Sequence, residues 1–385
     1  MEQTVVVNRK GAERWRRGHP WIYRSDVASG AAEAGVVRVE DGRGAPLGMA
    51  FYSPPSLISV RMLTGDVRPI DLDFWRERLG AALAYRRTLA PDANAYRLVH
   101  GEADGIPSLI VDRYGDQLSV QLLSAGLETC RDEVVRVLVE LLEPRGILAR
   151  NDVAVRRYER LPQDVEVLHG EVPDRLEVRE GRVRYLVDLA EGQKTGAFLD
   201  QRENRMLAAR LSRGRALDCF AYHGSFALHL ALGADEVIAV DSSAPALERA
   251  RANAEMNGYA HVRTREANAF DFLRAAEAAG DLYDLVVVDP PAFAKDKRSV
   301  DAALRGYKEL NLRAMRILAP GGHLLTFSCS HHVSEERFDA MLRDAAADAG
   351  RPLRRLGVLQ QAPDHPILMQ VPETLYLKGA LIQAP

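Results

Sequence analysis

Residues 1–70 contain short apolar runs that Gly and Pro interrupt, and this pattern is typical of β-strands. The predicted strands cover residues 4–7, 35–40, 47–51 and 58–63. Short strands separated by turns indicate a small barrel or compact sheet with a core of its own. We therefore predict a small β-rich first domain over residues 1–70.

Residues 71–190 mix helical and strand patterns. Apolar residues recur at helical spacing over 71–89 and 128–142. Runs at 109–112 and 117–123 predict a hairpin, and runs at 146–149, 165–168 and 183–188 predict further strands. This combination predicts an α+β middle domain. Its acidic loop, HGEADGIPSLIVDRYGD, lacks the spacing of a calcium loop, so we predict no metal site there.

Residues 191–385 alternate between apolar strands and helices, which is the pattern of an α/β domain with a parallel sheet. The predicted strands cover 216–220, 236–240, 285–288 and 323–327, with one more near residue 262. The predicted helices cover 225–232, 245–257 and 301–318, and Pro320-Gly321-Gly322 stops the last of them. The fold class is therefore α/β, with a Rossmann-like sheet in the C-terminal domain.

The turn after the first strand of this sheet has the features of a nucleoside site. Gly224 lies where a ligand must approach the backbone, and Asp241 ends the next strand, where an acid can bond a ribose diol. The turn has one glycine where a dinucleotide fingerprint has three, so a nucleoside without phosphates fits better. Asn268 ends the third strand, where it either reads the edge of an adenine or caps the following helix.

Two further strands of the sheet end in residues that can carry chemistry. Asp289-Pro290-Pro291 forms a stiff loop in which the acid can hold a flat base. Cys329 follows another strand in a polar loop, with His331 and His332 after it. A free cysteine is usually a small core residue, but a thiol in an exposed, polar setting can be reactive. Both interpretations of Cys329 stay open on the pattern alone.

The first domain carries a basic segment, NRKGAERWRRGHPWIYRSD, in which aromatic residues alternate with positive charge. Basic side chains neutralise phosphates and aromatic faces stack on unpaired bases, so the segment favours contact with RNA. A solvated helix face with aromatic residues in the core is the alternative. The predicted RNA-contacting residues are Arg9, Lys10, Arg14, Arg16, Arg17 and Trp21.

The bulk properties agree with a multidomain globular protein. The chain has 385 residues, too many for one core, so two or three domains are expected. Its net charge of −3 neither favours nor excludes a nucleic acid partner. No apolar run approaches the ~18 residues of a membrane span, and no signal peptide is evident, so we predict a cytoplasmic protein. Three scattered cysteines predict neither a disulfide framework nor a zinc site.

Taken together, these motifs resemble those of class I S-adenosylmethionine-dependent methyltransferases. More closely, KGAERWRRGHPWIYRSD, GQKTGAFLDQR, DPPAF and FSCS are similar to the bacterial large-subunit (23S) ribosomal RNA cytosine-5 methyltransferases that carry an N-terminal PUA domain. The resemblance covers essentially the whole chain and implies a PUA-like domain at 1–70, a middle domain at 71–190 and a methyltransferase domain at 191–385. It implies S-adenosyl-L-methionine as cofactor and ribosomal RNA, or an assembly intermediate, as partner. A homodimer is an open expectation.

The resemblance also implies roles for individual residues. Cys329 matches the family's nucleophile, which attacks C6 of cytosine, and Asp289 matches the acid that bonds the base. The residues implied in cofactor binding are Phe220, Tyr222, Gly224, Asp241, Ser242, Asn268, Ala269, Asp289, Lys194, Phe198 and Arg202. Lys194 and Arg202 lie in GQKTGAFLDQR, whose second half can also be a helix start with Asp200 as N-cap.

Two rival functions remain at this point. Methyltransferases that act on a base nitrogen, such as guanine-modifying relatives, share the GQKTG motif but need no nucleophile, so Cys329 separates the two chemistries. The other rival is a noncatalytic protein that binds ribosomal RNA during ribosome assembly and transfers no methyl group.

Overall fold

The computed structural model describes residues 3–89, 92–192, 195–294 and 296–385. The strands are β1 (Thr4–Val7), β2 (Trp21–Ile22), β3 (Val27–Ser29), β4 (Gly35–Asp41), β5 (Pro46–Tyr52), β6 (Val60–Thr64), β7 (Ala95–His100), β8 (Leu109–Tyr114), β9 (Gln117–Leu122), β10 (Gly146–Arg150), β11 (Val165–Gly170), β12 (Leu176–Glu180), β13 (Val183–Val187), β14 (Arg215–Cys219), β15 (Glu236–Asp241), β16 (Val262–Glu266), β17 (Tyr283–Val288), β18 (Leu318–Ser328), β19 (Arg354–Gln360) and β20 (Lys378–Gln383). The helices are α1 (Arg9–Arg16), α2 (Leu72–Leu89), α3 (Ala125–Glu128), α4 (Arg131–Leu142), α5 (Val155–Tyr158), α6 (Arg202–Leu211), α7 (Ser225–Leu230), α8 (Ala244–Met256), α9 (Ala269–Ala279), α10 (Val300–Arg316) and α11 (Glu335–Ala349).

The chain forms two compact units. The first contains Met1–Val178, Val187–Leu199 and Pro363–Thr374, and the second contains Arg179–Leu186, Asp200–Ala362 and Leu375–Pro385. The predicted β-rich and middle domains therefore fall largely in one unit, and the predicted methyltransferase domain largely in the other. The domain limits at residues 70 and 190 stay a prediction.

The first unit contains two sheets. The six-stranded sheet has the order β2-β6-β5-β4-β1-β3, and only its β1–β4 pair is parallel. The five-stranded sheet has the order β11-β10-β9-β8-β7, with the predicted hairpin formed by β8 and β9. Phe51 of β5 and Trp75 of α2 stack at 6.1 Å between ring centroids inside one core. This shared core explains why the two sequence domains cluster as one unit.

The second unit is built on a seven-stranded sheet of order β16-β15-β14-β17-β18-β20-β19. The strands from β16 to β18 are parallel, while β20 is antiparallel to both of its neighbours. Strand order reverses at β14, whose two neighbours, β15 and β17, follow it in the sequence. Ligands of open α/β sheets bind at the carboxyl ends of the strands, at such a reversal.

Both faces of the sheet are covered at the central strand β17, as its apolar run predicts. Val286 and Val288 pack into a core with α9, α10 and α11. The alternate residues, Leu285 and Val287, pack into the opposite core with α6 and α7. The α/β fold class is therefore confirmed for the second unit, and helices on both faces fix the strand ends that carry the candidate site.

Two local predictions were wrong. Pro320-Gly321-Gly322 does not stop α10, which already ends at Arg316. The segment instead lies within β18, which begins at Leu318 and not at residue 323. An irregular register between Tyr283 and Leu285 on β17 accommodates it. Asp200 is not the N-cap of α6, since Gln201 holds that position without a side-chain cap. The Asp200 carboxylate instead accepts a hydrogen bond of 2.7 Å from the Tyr376 hydroxyl.

Candidate functional site

The turn between β14 and α7 has an unusual backbone. Phe220 and Tyr222 have φ angles of 66° and 50°, and Gly224 has a φ of 87°. Non-glycine residues adopt this left-handed conformation rarely, and two of them in one turn store backbone strain. Such strain collects at ligand sites. The predicted cofactor residues Phe220, Tyr222 and Gly224 therefore share one strained turn at the carboxyl end of β14.

The Asp241 carboxylate ties this turn to the end of β15. One oxygen accepts a 2.8 Å hydrogen bond from the Tyr222 backbone N–H, and the other accepts a 2.9 Å bond from the Ser243 N–H. Each carboxylate oxygen can accept two hydrogen bonds, so both keep a lone pair for a ligand. Asp241 is half-buried and Ser242 is exposed beside it. The geometry leaves the acid oriented and able to accept from a diol.

Three carboxyl groups lie near one another at this edge of the sheet. Asp218 is buried in β14, and its carboxylate accepts a 2.9 Å hydrogen bond from the Ala227 N–H. Burial raises the pKa of Asp218 well above its usual value, and the charges of Asp289 and Asp241 raise it further. Strand pairing explains the proximity, because Asp218 pairs with Ala239 of β15 and Val287 of β17, which lie two residues before Asp241 and Asp289. Since burial favours the neutral form of Asp218, Asp241 and Asp289 supply the negative potential of this edge.

Cys329 lies beside the Asp-Pro-Pro loop. Its thiol contacts the Pro290 carbonyl oxygen at 3.9 Å, and the residue is half-buried. The neighbouring strands explain this placement, because Val288 of β17 pairs with Thr326 of β18, so both chains leave the sheet side by side. The structure therefore brings Cys329 and the loop that begins at Asp289 together at the carboxyl edge.

Ser330 fixes the position of the cysteine loop. Its hydroxyl accepts a 3.2 Å hydrogen bond from the Ala294 N–H and lies 2.8 Å from the Tyr307 hydroxyl. The Tyr307 ring in turn packs on Phe293 at 4.7 Å between centroids. Because Ala294 and Phe293 follow the Asp-Pro-Pro sequence, Ser330 links the two loops directly. Sequence reasoning did not single out Ser330 or Tyr307.

The other two cysteines lie in core positions. Cys219 is fully buried in β14, and burial raises its pKa. Cys130 is buried at the N-terminus of α4, and burial raises its pKa to about 11. Both thiols are therefore neutral at physiological pH and shielded from a substrate. Cys329 is the half-exposed member of the three.

Lys378 is a residue that the sequence analysis missed. It begins β20 opposite Ser328 of β18, and only 5% of it is exposed. Its ammonium donates hydrogen bonds to the carbonyl oxygens of Ser330 at 3.0 Å and Tyr376 at 2.8 Å. A lysine inside the apolar run LYLKGALI was the available signal, since a buried ammonium needs partners.

A buried cluster of charged residues packs against the turn between β14 and α7. Arg205 of α6 pairs with Glu180 of β12 through two contacts of 2.5 and 2.8 Å, and both side chains are buried. The Tyr185 hydroxyl donates to Glu180 at 2.8 Å, and His229 of α7 lies 3.6 Å from the same carboxylate. The Tyr185 ring stacks on His223, the residue before the glycine, at 5.1 Å. Spacing along the chain gave no sign of this cluster.

Asn268 adopts the capping role that the sequence left open. Its side-chain oxygen accepts a 2.9 Å hydrogen bond from the Phe270 N–H at the start of α9. The residue is exposed, and the next residue, Ala269, is buried. A cap uses the amide oxygen and leaves the NH₂ group, so contact with an adenine stays a prediction.

The GQKTGAFLDQR residues are distributed between the two units. Lys194 lies outside the described residues, and Phe198 is a half-buried residue of the first unit. Arg202 begins α6 in the second unit, where it is buried and contacts Glu203 at 3.3 Å. Their roles in cofactor binding stay predictions.

Several residues of the basic N-terminal segment contact acids or rings of the first unit. Arg9 pairs with Glu13, Lys10 with Asp26 and Arg16 with Asp41, at 2.7, 3.7 and 2.8 Å. Arg14 lies over the Tyr23 ring at 4.6 Å, and Arg17 is exposed at the end of α1. The Trp21 indole donates to Glu102 at 2.8 Å and is half-buried. The acids reduce the local positive charge, and α1 still presents exposed guanidinium groups.

The described part of the chain shows no group of three His, Cys, Asp or Glu side chains suited to a metal ion. His331 and His332 are exposed after the cysteine loop. Within the same described residues, no helix is both long and apolar enough to cross a membrane.

The chemistry of this edge fits a nucleoside that carries a positive charge. Asp241 offers oxygen acceptors to a ribose, and the strained turn at Gly224 lets a ligand approach the backbone. The neighbouring charge of Asp289 favours a cation. S-adenosylmethionine combines a ribose with a positively charged sulfur, so the residues present fit it.

Comparison with known proteins agrees with this assignment. A family model for S-adenosylmethionine-dependent methyltransferases matches residues 97–377, and a model for PUA-like domains matches residues 5–65. These matches confirm the predicted PUA-like and methyltransferase folds and the predicted cofactor.

Several relatives named "Ribosomal RNA large subunit methyltransferase I" are similar over nearly their whole length. The protein from Tolumonas auensis is 41% identical, with 100% of both chains covered. The protein from Aeromonas hydrophila is 42% identical, covering 97% of this chain and 98% of the relative. The protein from Vibrio cholerae (strain O395) is 40% identical over 94% of this chain and 95% of the relative.

Solved structures with the same fold also cover the whole chain. A candidate S-adenosylmethionine-dependent methyltransferase from Streptococcus mutans has a TM-score of 0.83 at 21% identity, with 100% of both chains covered. A candidate methyltransferase complexed with S-adenosylhomocysteine has a TM-score of 0.85, again at 21% identity and full coverage. At this identity the likeness supports the fold alone.

Proposed function

The chain belongs to the S-adenosylmethionine-dependent methyltransferases, in the family of the large-subunit ribosomal RNA methyltransferase I relatives, and we propose that it methylates C5 of a cytosine in that RNA. The names of the relatives support ribosomal RNA as the substrate. The PUA-like domain, with its basic helix α1, supports an RNA partner as well.

One observation carries the choice of cytosine C5. A half-exposed thiol, Cys329, lies beside the Asp-Pro-Pro loop at the same sheet edge as the cofactor residues. Methyl transfer to a base nitrogen needs no nucleophile from the enzyme, because the nitrogen lone pair attacks directly. Cytosine C5 is a poor nucleophile and needs activation, so a thiol in this position favours the C5 reaction.

In the proposed reaction, the Cys329 thiolate forms a bond to C6 of the cytosine. The electron pair of the C5–C6 double bond then becomes available at C5, which makes C5 an enamine-like nucleophile. When bound, S-adenosylmethionine supplies the methyl group, which C5 takes as the sulfur–methyl bond breaks and S-adenosylhomocysteine remains. Loss of the C5 proton to a base restores the double bond and expels the Cys329 sulfur as thiolate.

Asp289 has the proposed role of holding the base. A protonated carboxyl group can donate a hydrogen bond from its O–H to N3 of cytosine, and its other oxygen can accept one from the exocyclic amine. Such bonds draw electron density toward N3 and favour addition of sulfur at C6. The two prolines after Asp289 restrict the loop, so the acid keeps its orientation when the base arrives.

Trapping of the covalent adduct tests the proposed function. Fluorine at C5 cannot leave as a proton does, so ribosomal RNA transcribed with 5-fluorocytidine should remain bonded to Cys329 after methyl transfer. We expect a protein–RNA band in denaturing gels for the wild type and for the matched control Cys130→Ala. Cys329→Ala should give no band. A band that persists in Cys329→Ala, or a methylated guanine with ordinary RNA, would contradict the proposal.

A further inference from the structure

Lys378 is buried without a carboxylate partner. Its two hydrogen-bond acceptors are main-chain carbonyl oxygens, and no ion pair among the described residues includes it. A buried ammonium that interacts only with dipoles is costly, because carbonyl groups replace water incompletely. The fold therefore keeps a positive charge at this position although neutral residues would pack at lower cost.

The charge lies next to the proposed nucleophile. One acceptor of Lys378 is the carbonyl oxygen of Ser330, the residue directly after Cys329, and Lys378 pairs in register with Ser328, the residue before it. The lysine thus spans the three-residue loop that presents the thiol. An ammonium has three N–H donors, and the two carbonyls use two of them, so one remains for a further acceptor.

The electrostatics of the two groups are linked. Burial lowers the pKa of Lys378, while the charge of Cys329, followed by that of Glu335, raises it. Coupling between two sites is reciprocal, so an ammonium whose charged form the thiolate favours must favour the thiolate equally. The Tyr307 hydroxyl also faces the loop, and burial raises its pKa, so it stays neutral and adds no charge.

We propose that the ammonium of Lys378 stabilises the thiolate of Cys329 and so prepares the nucleophile for attack on the base. This inference rests on the proposed function, in which Cys329 adds to C6. Lys378 is a positioning residue here, because it acts through the thiol and the loop that carries it. The buried charge then has a partner in the catalytic state, since the thiolate neutralises it.

Alkylation of Cys329 with iodoacetamide, followed peptide by peptide with mass spectrometry across a range of pH, measures the thiolate directly and needs no RNA. In the wild type, the midpoint of the alkylation rate should lie below the ordinary thiol value of about 8.5. In Lys378→Met, which keeps the length of the side chain, the midpoint should rise by about one pH unit or more, a tenfold loss of thiolate near neutrality. Lys378→Arg should restore most of the shift.

Lys308→Met is the matched control, since Lys308 lies on α10 of the same unit and pairs with Asp348 at 2.7 Å. Its midpoint should equal that of the wild type. A lysine that only braces the loop would change stability without moving the midpoint, so an unchanged midpoint in Lys378→Met overturns the inference. A wild-type midpoint at or above the ordinary value overturns it too, even if Lys378→Met does not fold.

The proposed function fails by a different result. If Cys329→Ala methylates RNA normally, the nucleophile assignment falls whatever the alkylation midpoint is. If Cys329→Ala is inactive and the Lys378→Met midpoint is unchanged, the nucleophile stands and the role of Lys378 falls.

Discussion

Cys329 and Cys219 are the same side chain in settings that give them different chemistry. Cys219 lies within β14 with no exposed surface, while Cys329 follows the end of β18 and contacts the Pro290 carbonyl. Burial raises the pKa of Cys219 and favours its neutral thiol. At Cys329, the proposed role of the Lys378 ammonium favours the thiolate. The composition gives only the number of cysteines, whereas their positions in the fold decide which thiol can react.

Asp241 gives a prediction for cofactor binding. Asp241→Ala should weaken the affinity for S-adenosylhomocysteine about tenfold or more, because it removes the acceptors for a ribose diol and the bond to the Tyr222 N–H. Isothermal titration calorimetry measures the change. The control is Asp235→Ala, an exposed residue just before β15, which should bind normally. Equal affinity for Asp241→Ala and the wild type would refute the ribose role.

Gly224 gives a second prediction at this scale. A Cβ here would lie 3.0 Å from the Ala250 Cβ, and the φ of 87° is strained for any other residue. Gly224→Ala should destabilise the second unit by about 1–3 kcal/mol and weaken cofactor binding. Gly258→Ala is the matched control, because its φ is 74° with nothing within 4 Å of the added atom.

Gly258→Ala should cost stability through its backbone alone and leave the affinity for S-adenosylhomocysteine unchanged. Thermal unfolding and calorimetry on the two variants separate these effects. Equal cofactor affinities in Gly224→Ala and Gly258→Ala would remove the turn from the binding site.

At the scale of single elements, helix α1 is the part of the PUA-like domain that we propose to contact RNA. Replacing Arg14, Arg16 and Arg17 by Ala should weaken RNA binding and reduce the slope of log affinity against log salt by about two, since each phosphate contact contributes about 0.7 on single strands. The matched control replaces Arg136, Arg145 and Arg175 of the same unit, which removes the same charge elsewhere. The same slope in both triple variants would exclude α1 as a specific RNA surface.

The elements also show which structural features a sequence can predict. The strand–turn–helix at β14 and α7 was predictable, because a buried parallel strand is an apolar run and Gly224 marks the turn. The start of β18 was not predictable from the sequence, because an irregular register between β17 and β18 lets Pro320 lie within the strand. Contacts between distant segments, such as Lys378 with Ser330, depend on sheet pairing that local patterns do not encode.

The candidate site also contains residues that the sequence could predict and residues that it could not. Gly224, Asp241, Asp289 and Cys329 follow strand ends, and the carboxyl ends of parallel strands meet at one edge, so their proximity was predictable. The Ser330 hydroxyl accepts a hydrogen bond from the Ala294 N–H, and the Lys378 ammonium donates to the Ser330 carbonyl. Both contacts involve main-chain groups, which every residue type has, so the sequence does not reveal them. Asn268 was ambiguous because one amide serves a cap and a ligand equally well.

At the scale of the whole molecule, two buried histidines should make stability depend on pH. Burial lowers the pKa of His229 to about 4 and that of His223 to about 3, so both are neutral in the folded second unit. The unfolded chain binds these protons near the ordinary value of about 6.5. The contribution of each neutral histidine to the free energy of unfolding is therefore fully present above about pH 6.5. This contribution decreases as the pH falls toward 4, and the decrease is about 2 kcal/mol per histidine at pH 5.

The thermal transition that S-adenosylhomocysteine shifts reports on the second unit and tests this dependence. Its midpoint should fall between pH 7 and pH 5, and the fall should be smaller in His229→Gln, which cannot take up the proton. The substitution itself lowers the midpoint at every pH, so the change of the midpoint with pH is compared between the two proteins, and not the midpoint itself. An equal slope in the wild type and His229→Gln would contradict the assignment.

Nucleoside mass spectrometry of RNA after reaction tests the central claim most directly. Large-subunit ribosomal RNA transcribed without modifications is incubated with isotopically labelled S-adenosylmethionine and the wild type, Cys329→Ala or Cys130→Ala. We predict labelled 5-methylcytidine with the wild type and Cys130→Ala, and none with Cys329→Ala, which should still bind S-adenosylhomocysteine. A labelled guanine or adenine, full activity of Cys329→Ala, or no methylated nucleoside with the wild type would contradict the account.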